Sequence, residues 1–149
     1  MVTYADRLEA PPLGDQSLRG YLTGSVDVVL RLPSGRFVVV DYKTNFLGVE
    51  ALDYTQPKLA EAMLPSHYPL QALLYSAVVH RFLRWRLPGY DPEKHLGGVL
   101  YLYVRGMLGP DTPVVDGIPT GVFTWQPPAS LAVALSDLLD GTRPDGVAP

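Results

Sequence analysis

Apolar residues along the chain gather into blocks, and polar stretches bearing proline and glycine separate them. Residues 20–32, GYLTGSVDVVLRL, are rich in β-branched and aliphatic types and predict a strand. Pro33-Ser34-Gly35-Arg36 predicts a turn. Residues 37–43, FVVVDYK, predict a second strand, whose apolar opening fits a buried central position. So short a turn makes the two strands an antiparallel hairpin. Residues 44–56 read as a loop. Pro57 to Leu64 reads as a short helix with Pro57 at its first position and Pro65 ending it. Residues 68–86, YPLQALLYSAVVHRFLRWR, read as a long amphipathic helix. Its Leu70, Leu74, Ala77, Val78, Phe82 and Trp85 fall near the 3.6-residue period, and Pro88-Gly89 stops it. Residues 97–104, GGVLYLYV, predict a third strand, and Gly121 to Trp125 a weaker fourth. Ser130 to Leu139 reads as a last short helix with Ser130 as N-cap. The order of elements points to an α/β (α+β) fold, a central mixed β-sheet with an antiparallel hairpin and flanking helices. Residues 1–19, broken by Pro11, Pro12 and Gly14, read as a lead-in, residues 20–140 as the domain, and residues 141–149, GTRPDGVAP, as a flexible tail.

Composition narrows the function classes. The chain has 149 residues, 47% of them apolar, which suits one domain with a sizeable core. It contains no apolar run long enough to span a membrane and no apolar leader at its start, so a cytoplasmic location away from membranes is the expectation. There are no cysteines, which excludes disulfides, thiolate zinc sites, iron–sulfur clusters and cysteine nucleophiles. The net charge of −3 lacks the basic surplus of an autonomous tight nucleic-acid binder. A tethered enzyme to which the strand is delivered remains compatible with it.

Three ionisable residues stand out against their apolar surroundings. Asp27 sits within Ser25-Val26-Asp27-Val28-Val29, and Asp41 follows Phe37-Val38-Val39-Val40. A carboxylate in such a run is costly to bury unless it is paired or bound to a cation. Lys43 lies two residues beyond Asp41, so both side chains leave the same strand face, and the hairpin can bring Asp27 beside them. Two readings compete. Asp41 and Lys43 are a plain salt bridge near a strand end, or the trio is a hydrolytic site. In the second, the carboxylates hold a hard cation such as Mg²⁺, and the lysine orients water and stabilises charge growing on a phosphate. Gln71 and Tyr75 are spaced i, i+4 on one face of the long helix. They are either a half-buried amide and a core tyrosine, or groups turned to a phosphate-bound water and the lysine. Arg81, Arg84 and Arg86 end the same helix, where cations favour the macrodipole. Arg81 and Arg84 are candidate DNA contacts. His95 reads as a loop residue.

These residues resemble a known family. The matching segments are Gly24-Ser25-Val26-Asp27, Asp41-Tyr42-Lys43-Thr44-Asn45-Phe46-Leu47-Gly48, Tyr68-Pro69-Leu70-Gln71 with Tyr75, and Gly97 to Met107. Together they are similar to the C-terminal nuclease domain of the RecB family, the beta subunit of exodeoxyribonuclease V. The resemblance covers roughly residues 20–140. It implies a PD-(D/E)XK restriction-endonuclease-like core and a Mg²⁺-dependent deoxyribonuclease, with Mn²⁺ as a second cation, acting in double-strand-break processing and recombinational repair. It implies metal ligation by Asp27, Asp41 and the backbone carbonyl of Tyr42, and catalysis by Lys43 with Gln71 and Tyr75 beside it. Arg105 matches an arginine–glycine pair with a structural or DNA-facing role. The implied partners are DNA, a RecB-type helicase motor in the same parent chain, and RecC- and RecD-like subunits. One departure stands out. The family carries a metal-binding histidine well upstream of the first aspartate, and the residues before Asp27 here include none. The chain therefore reads as an excised or truncated relative, of weakened activity unless Asp6 or Glu9 substitutes. The alternative is a weak or inactive nuclease-fold module that guides DNA or docks subunits. A relative acting in CRISPR acquisition is disfavoured by the absence of cysteines.

Overall fold

The computed structural model describes residues 24–140. Their backbone forms a four-stranded mixed sheet in the order β1-β2-β3-β6, with β1 Val28–Arg31, β2 Phe37–Lys43, β3 Leu96–Tyr103 and β6 Val122–Trp125. A separate two-stranded hairpin pairs β4 Val114–Val115 with β5 Ile118–Pro119. β1 and β2 are the expected antiparallel hairpin, β2 and β3 run parallel, and β6 returns antiparallel to β3. The connection from β2 to β3 carries α1 Gln56–Met63, α2 Tyr68–Arg86 and α3 Pro92–His95, as a parallel pair requires. α4 Ala129–Leu139 follows β6 and packs on α2. This is the expected α/β architecture, consistent with a restriction-endonuclease-like core. Among the described residues no helix is long and apolar enough to cross a membrane.

Several expectations need correction. The strand expected over residues 20–32 is only Val28–Arg31 where described, and residues 20–23 lie outside the described part, as do the lead-in and the tail. β1 is an edge strand with Val29 and Leu30 exposed, so its apolar run does not mark burial. Pro57 is at the second position of α1, since the helix opens on Gln56. Ser130 does not cap α4. The helix starts at Ala129 after Pro128, and no side chain caps it. His95 closes a one-turn helix instead of lying in a loop. The expected loop over 44–56 contains a 3₁₀ turn, Ala51–Tyr54.

The largest difference lies in α2. Its bounds are as expected, but its buried residues are Pro69, Ala72, Ser76, Ala77, Val79, His80 and Leu83. Of the six residues expected on the apolar stripe, only Ala77 is buried, while Leu70, Val78, Phe82 and Trp85 are exposed. The helix packs through small residues because α4 and the sheet approach closely. Ser136 of α4 is fully buried there and takes hydrogen bonds from Arg81 through both its hydroxyl and its carbonyl.

Tyr54, 1% exposed, pins the loops that leave β2 and β3. Its hydroxyl accepts from the Leu47 N–H and donates to the Gly48 carbonyl, while its own carbonyl accepts from the Gly121 N–H. Gly106 lies against its side chain, where an added Cβ would stand 2.4 Å from the Tyr54 Cβ and 3.0 Å from the Gly121 Cα. Gly106→Ala is therefore expected to lower stability by about 1–3 kcal/mol through overpacking. Thermal unfolding of the two proteins checks it.

Candidate active site

The site forms where β2 ends and the first turns of α2 cross it. On β2, Val39, Asp41 and Lys43 share one face by the two-residue period of a strand. The parallel register sets Asp41 beside Tyr101 and Lys43 beside Tyr103, so those side chains lie on the same face. The antiparallel register pairs Val28 with Val40, and one step further it brings Asp27 next to Asp41. Asp27 itself precedes β1 and is exposed. Its carboxylate is not buried in an apolar strand, contrary to the expectation. It accepts the Tyr42 backbone N–H at 3.0 Å instead.

Asp41 and Lys43 are an ion pair, at 2.7 Å and almost fully covered. They are more than a plain salt bridge, because each holds further partners. The Tyr75 hydroxyl donates to Asp41 Oδ1 at 2.9 Å, leaving Oδ2 to the lysine. The Gln71 side chain spans the two, its Oε1 accepting from Lys43 Nζ at 3.1 Å and its Nε2 donating to the Tyr75 hydroxyl at 2.9 Å. Asp41, Lys43, Gln71 and Tyr75 thus close a ring of polar contacts. Burial, followed by the hydrogen bond to Asp41 and the charges of Asp41 and Asp27, pushes the Tyr75 phenol up to about 12. It therefore stays protonated and remains a donor to Asp41 across the neutral range.

Two residues with no expected role complete the site, Tyr68 and Tyr101. Lys43 Nζ lies 4.0 Å from the centre of the Tyr68 ring and 5.1 Å from that of Tyr101. The Tyr101 hydroxyl donates to the Tyr68 carbonyl at 3.0 Å and reaches Gln71 Oε1 at 3.4 Å. The ammonium is therefore held by a carboxylate, an amide oxygen and two aromatic faces. The available signal was the i, i+3 spacing of Tyr68 and Gln71 on α2. Tyr68→Phe keeps the ring face beside Lys43, and Tyr68→Leu removes it. Tyr68→Leu is therefore expected to lower stability by about 1 kcal/mol more than Tyr68→Phe does, which denaturant unfolding of the two variants checks.

The remaining sequence-derived residues lie around this cluster or away from it. Arg105 is exposed, donates from Nε to the Thr44 carbonyl at 2.9 Å, and sits 6.0 Å from the Phe46 ring, bracing the loop that follows Lys43. Arg81 is turned to α4, where it also pairs with Asp140. Arg84 lies nine residues past Tyr75 on α2, about 14 Å along the axis. The structure does not bring either of them to the cluster. His80 bonds the Tyr90 hydroxyl, and His95 bonds within the Asp91 turn.

Among the described residues no three His, Cys, Asp or Glu side chains gather to hold a metal ion. Asp27 and Asp41 are neighbours by hairpin register, and with the backbone carbonyl of Tyr42 they make up the donor set that the resemblance implies. Each carboxylate has about four acceptor positions, so two contacts on Asp41 leave capacity. This all-oxygen set fits Mg²⁺, which usually takes one or two carboxylates and keeps several waters.

No protein-family model matches the chain. Curated relatives do. The chain is 68% identical over 140 residues to the RecBCD enzyme subunit RecB of Mycobacterium tuberculosis, an alignment covering 94% of the chain and 13% of the relative. It is 62% identical over 149 residues to RecB of Mycolicibacterium smegmatis, with 97% and 14% covered. It is 40% identical over 131 residues to RecB of Escherichia coli, with 88% and 10% covered. The chain thus spans between 10% and 14% of the length of these relatives.

Proposed function

Starting from a chain homologous to a segment of RecB subunits, we propose that it is the nuclease part of a RecB-like helicase–nuclease. In this reading it hydrolyses DNA phosphodiesters, and its parent acts in break repair beside RecC- and RecD-like subunits. The observation that carries the reading is the ring of Asp41, Lys43, Gln71 and Tyr75 with Asp27 at its edge. A structural ion pair has no need of so many partners on one ammonium. A group whose charge must stand at a fixed point does.

Asp27, Asp41 and the Tyr42 carbonyl would hold a divalent cation, Mg²⁺ or Mn²⁺, which supplies Lewis-acid polarisation of the phosphodiester and lowers the pKa of water. Lys43 places positive charge where negative charge grows on the phosphate as water attacks and the ester bond breaks. Gln71 and Tyr75 fix the lysine and Asp41 so that little reorganisation accompanies the step. Tyr68 and Tyr101 cover the lysine and strengthen its field by excluding water. In the test, end-labelled DNA is incubated with the chain and Mg²⁺, with a chelator control. Cleavage that needs the cation and disappears in Asp41→Asn supports the reading. Cleavage retained in Asp41→Asn contradicts it.

One observation favours a second reading. The donor set among the described residues holds only two carboxylates and no histidine. A module that keeps the fold and guides DNA or docks subunits accounts for that set. It would bind no Mg²⁺ or Mn²⁺ in a calorimetric titration.

A further inference from the structure

α2 has a second face that nothing described covers. Gln71, Tyr75, Val78, Phe82 and Trp85 recur at steps of four, three, four and three residues. At about 100° per residue they stay within about 80° of one another around the helix. The first two belong to the candidate active site. The next three continue the same line away from it for about 15 Å, at 1.5 Å per residue. Val78, Phe82 and Trp85 are 54%, 55% and 74% exposed, and the core is built from the opposite side of the helix.

The charged residues of α2 itself are of one sign. Tyr68–Arg86 contains Arg81, Arg84 and Arg86 and no aspartate or glutamate, in a chain whose net charge is −3. Arg81 is engaged by Ser136 and Asp140 on the flank. Arg86 lies over the Trp85 ring at 4.0 Å. Arg84, Trp85 and Arg86 line an open recess of ≈ 420 Å³ with Leu87 to Tyr90. Exposed rings with adjoining guanidinium groups, on a helix that carries no carboxylate of its own, offer stacking faces and phosphate contacts together, the combination that binds single-stranded nucleic acid irrespective of sequence.

We propose that the Val78–Phe82–Trp85 face of α2, with Arg86, is a track for single-stranded DNA leading to or from the Asp41–Lys43 cluster. This inference rests on the nuclease reading for its substrate class. Its occupant is a strand and not a protein helix for two reasons. The face is continuous with the cluster where a phosphodiester would be cut, and its cations suit a polyanion. The bases would stack on Phe82 and Trp85 while Arg86 meets the backbone.

The test titrates the full chain with a short fluorescein-labelled oligothymidylate in a chelator, so that nothing is cut. Trp85→Ala and Phe82→Ala remove exposed side chains and spare the core. Each is expected to weaken binding about five- to a hundredfold, the range for losing one stacked base. Arg86→Ala is expected to weaken binding and flatten its salt dependence. The strand should quench indole fluorescence in the unaltered chain and not in Trp85→Ala. Unchanged affinity in both ring variants overturns the proposal. So does an unchanged affinity accompanied by a shift from dimer to monomer, which would make the face a contact between copies. Hydrolysis of bis(p-nitrophenyl) phosphate by the unaltered chain with Mn²⁺ reports on the nuclease reading separately. Ring-dependent strand binding without that hydrolysis counts against the nuclease reading and upholds the track.

Discussion

Lys43→Met is expected to reduce DNA cleavage by about a hundred- to a thousandfold while metal binding is retained or tightened. The reduction follows the cost of removing one group aimed at transition-state charge. The sign of the metal effect follows from Coulomb's law, since a positive charge 2.7 Å from Asp41 opposes a cation held by that carboxylate. Methionine has a similar length, and its sulfur packs well against the rings of Tyr68 and Tyr101. Asp41 keeps the Tyr75 hydroxyl as donor, so the carboxylate is not abandoned. Kinetics with Mg²⁺ and a calorimetric Mn²⁺ titration on the same preparation read both effects. A loss of metal binding in Lys43→Met would show that the lysine is part of the scaffold and not of the chemistry.

Asp41→Ala has the second large expected effect, and it acts on stability as well as on activity. Asp41 is 5% exposed, and its removal leaves the Lys43 ammonium, itself largely covered, with only Gln71 Oε1 and the aromatic faces. Removing one partner of a covered ion pair is expected to cost about 3 kcal/mol, at the low end for such pairs because those other contacts remain. Tyr75 also loses the nearer of its two acceptors and keeps the Ser25 carbonyl at 3.3 Å. Cleavage should fall below detection. Asp41→Asn preserves the shape and most of the hydrogen bonding, so it should lose cleavage with a smaller loss of stability. Denaturant unfolding of Asp41→Ala, Asp41→Asn and the unaltered chain distinguishes the two components.

Much of this site was legible in the sequence because it depends on short-range periodicity. The strand period puts Asp41 and Lys43 on one face, and the helix period puts Gln71 and Tyr75 on another. The resemblance then joined the two pairs, which spacing alone could not. For Asp27 the hairpin register is as expected and the burial is not. It was read as a carboxylate buried in an apolar run, yet it is exposed and reaches the site through hairpin register and the Tyr42 N–H. An edge strand and a central strand can carry the same apolar composition, so composition alone did not separate β1 from β2. The buried face of α2 differs from the expected stripe for a related reason. Close packing against α4 selects Ala72, Ser76 and Ala77 on the inside, while Val78, Phe82 and Trp85 stay outside. Periodicity finds a stripe but does not say which stripe faces in. Tyr54 and Tyr101 act through contacts between distant segments with no local spacing to announce them, while Tyr68 has only its i, i+3 spacing to Gln71.

The most direct test of a shared cation at this site is Mn²⁺ binding followed by electron paramagnetic resonance in the unaltered chain, Asp27→Ala, Asp41→Asn and Lys43→Met, paired with DNA cleavage by each. The expected result is that the unaltered chain binds Mn²⁺ and cuts, both aspartate variants lose binding and cleavage together, and Lys43→Met binds Mn²⁺ but cuts about a hundred- to a thousandfold more slowly. Undiminished Mn²⁺ binding in both aspartate variants, or undiminished DNA cleavage in Lys43→Met, would contradict it.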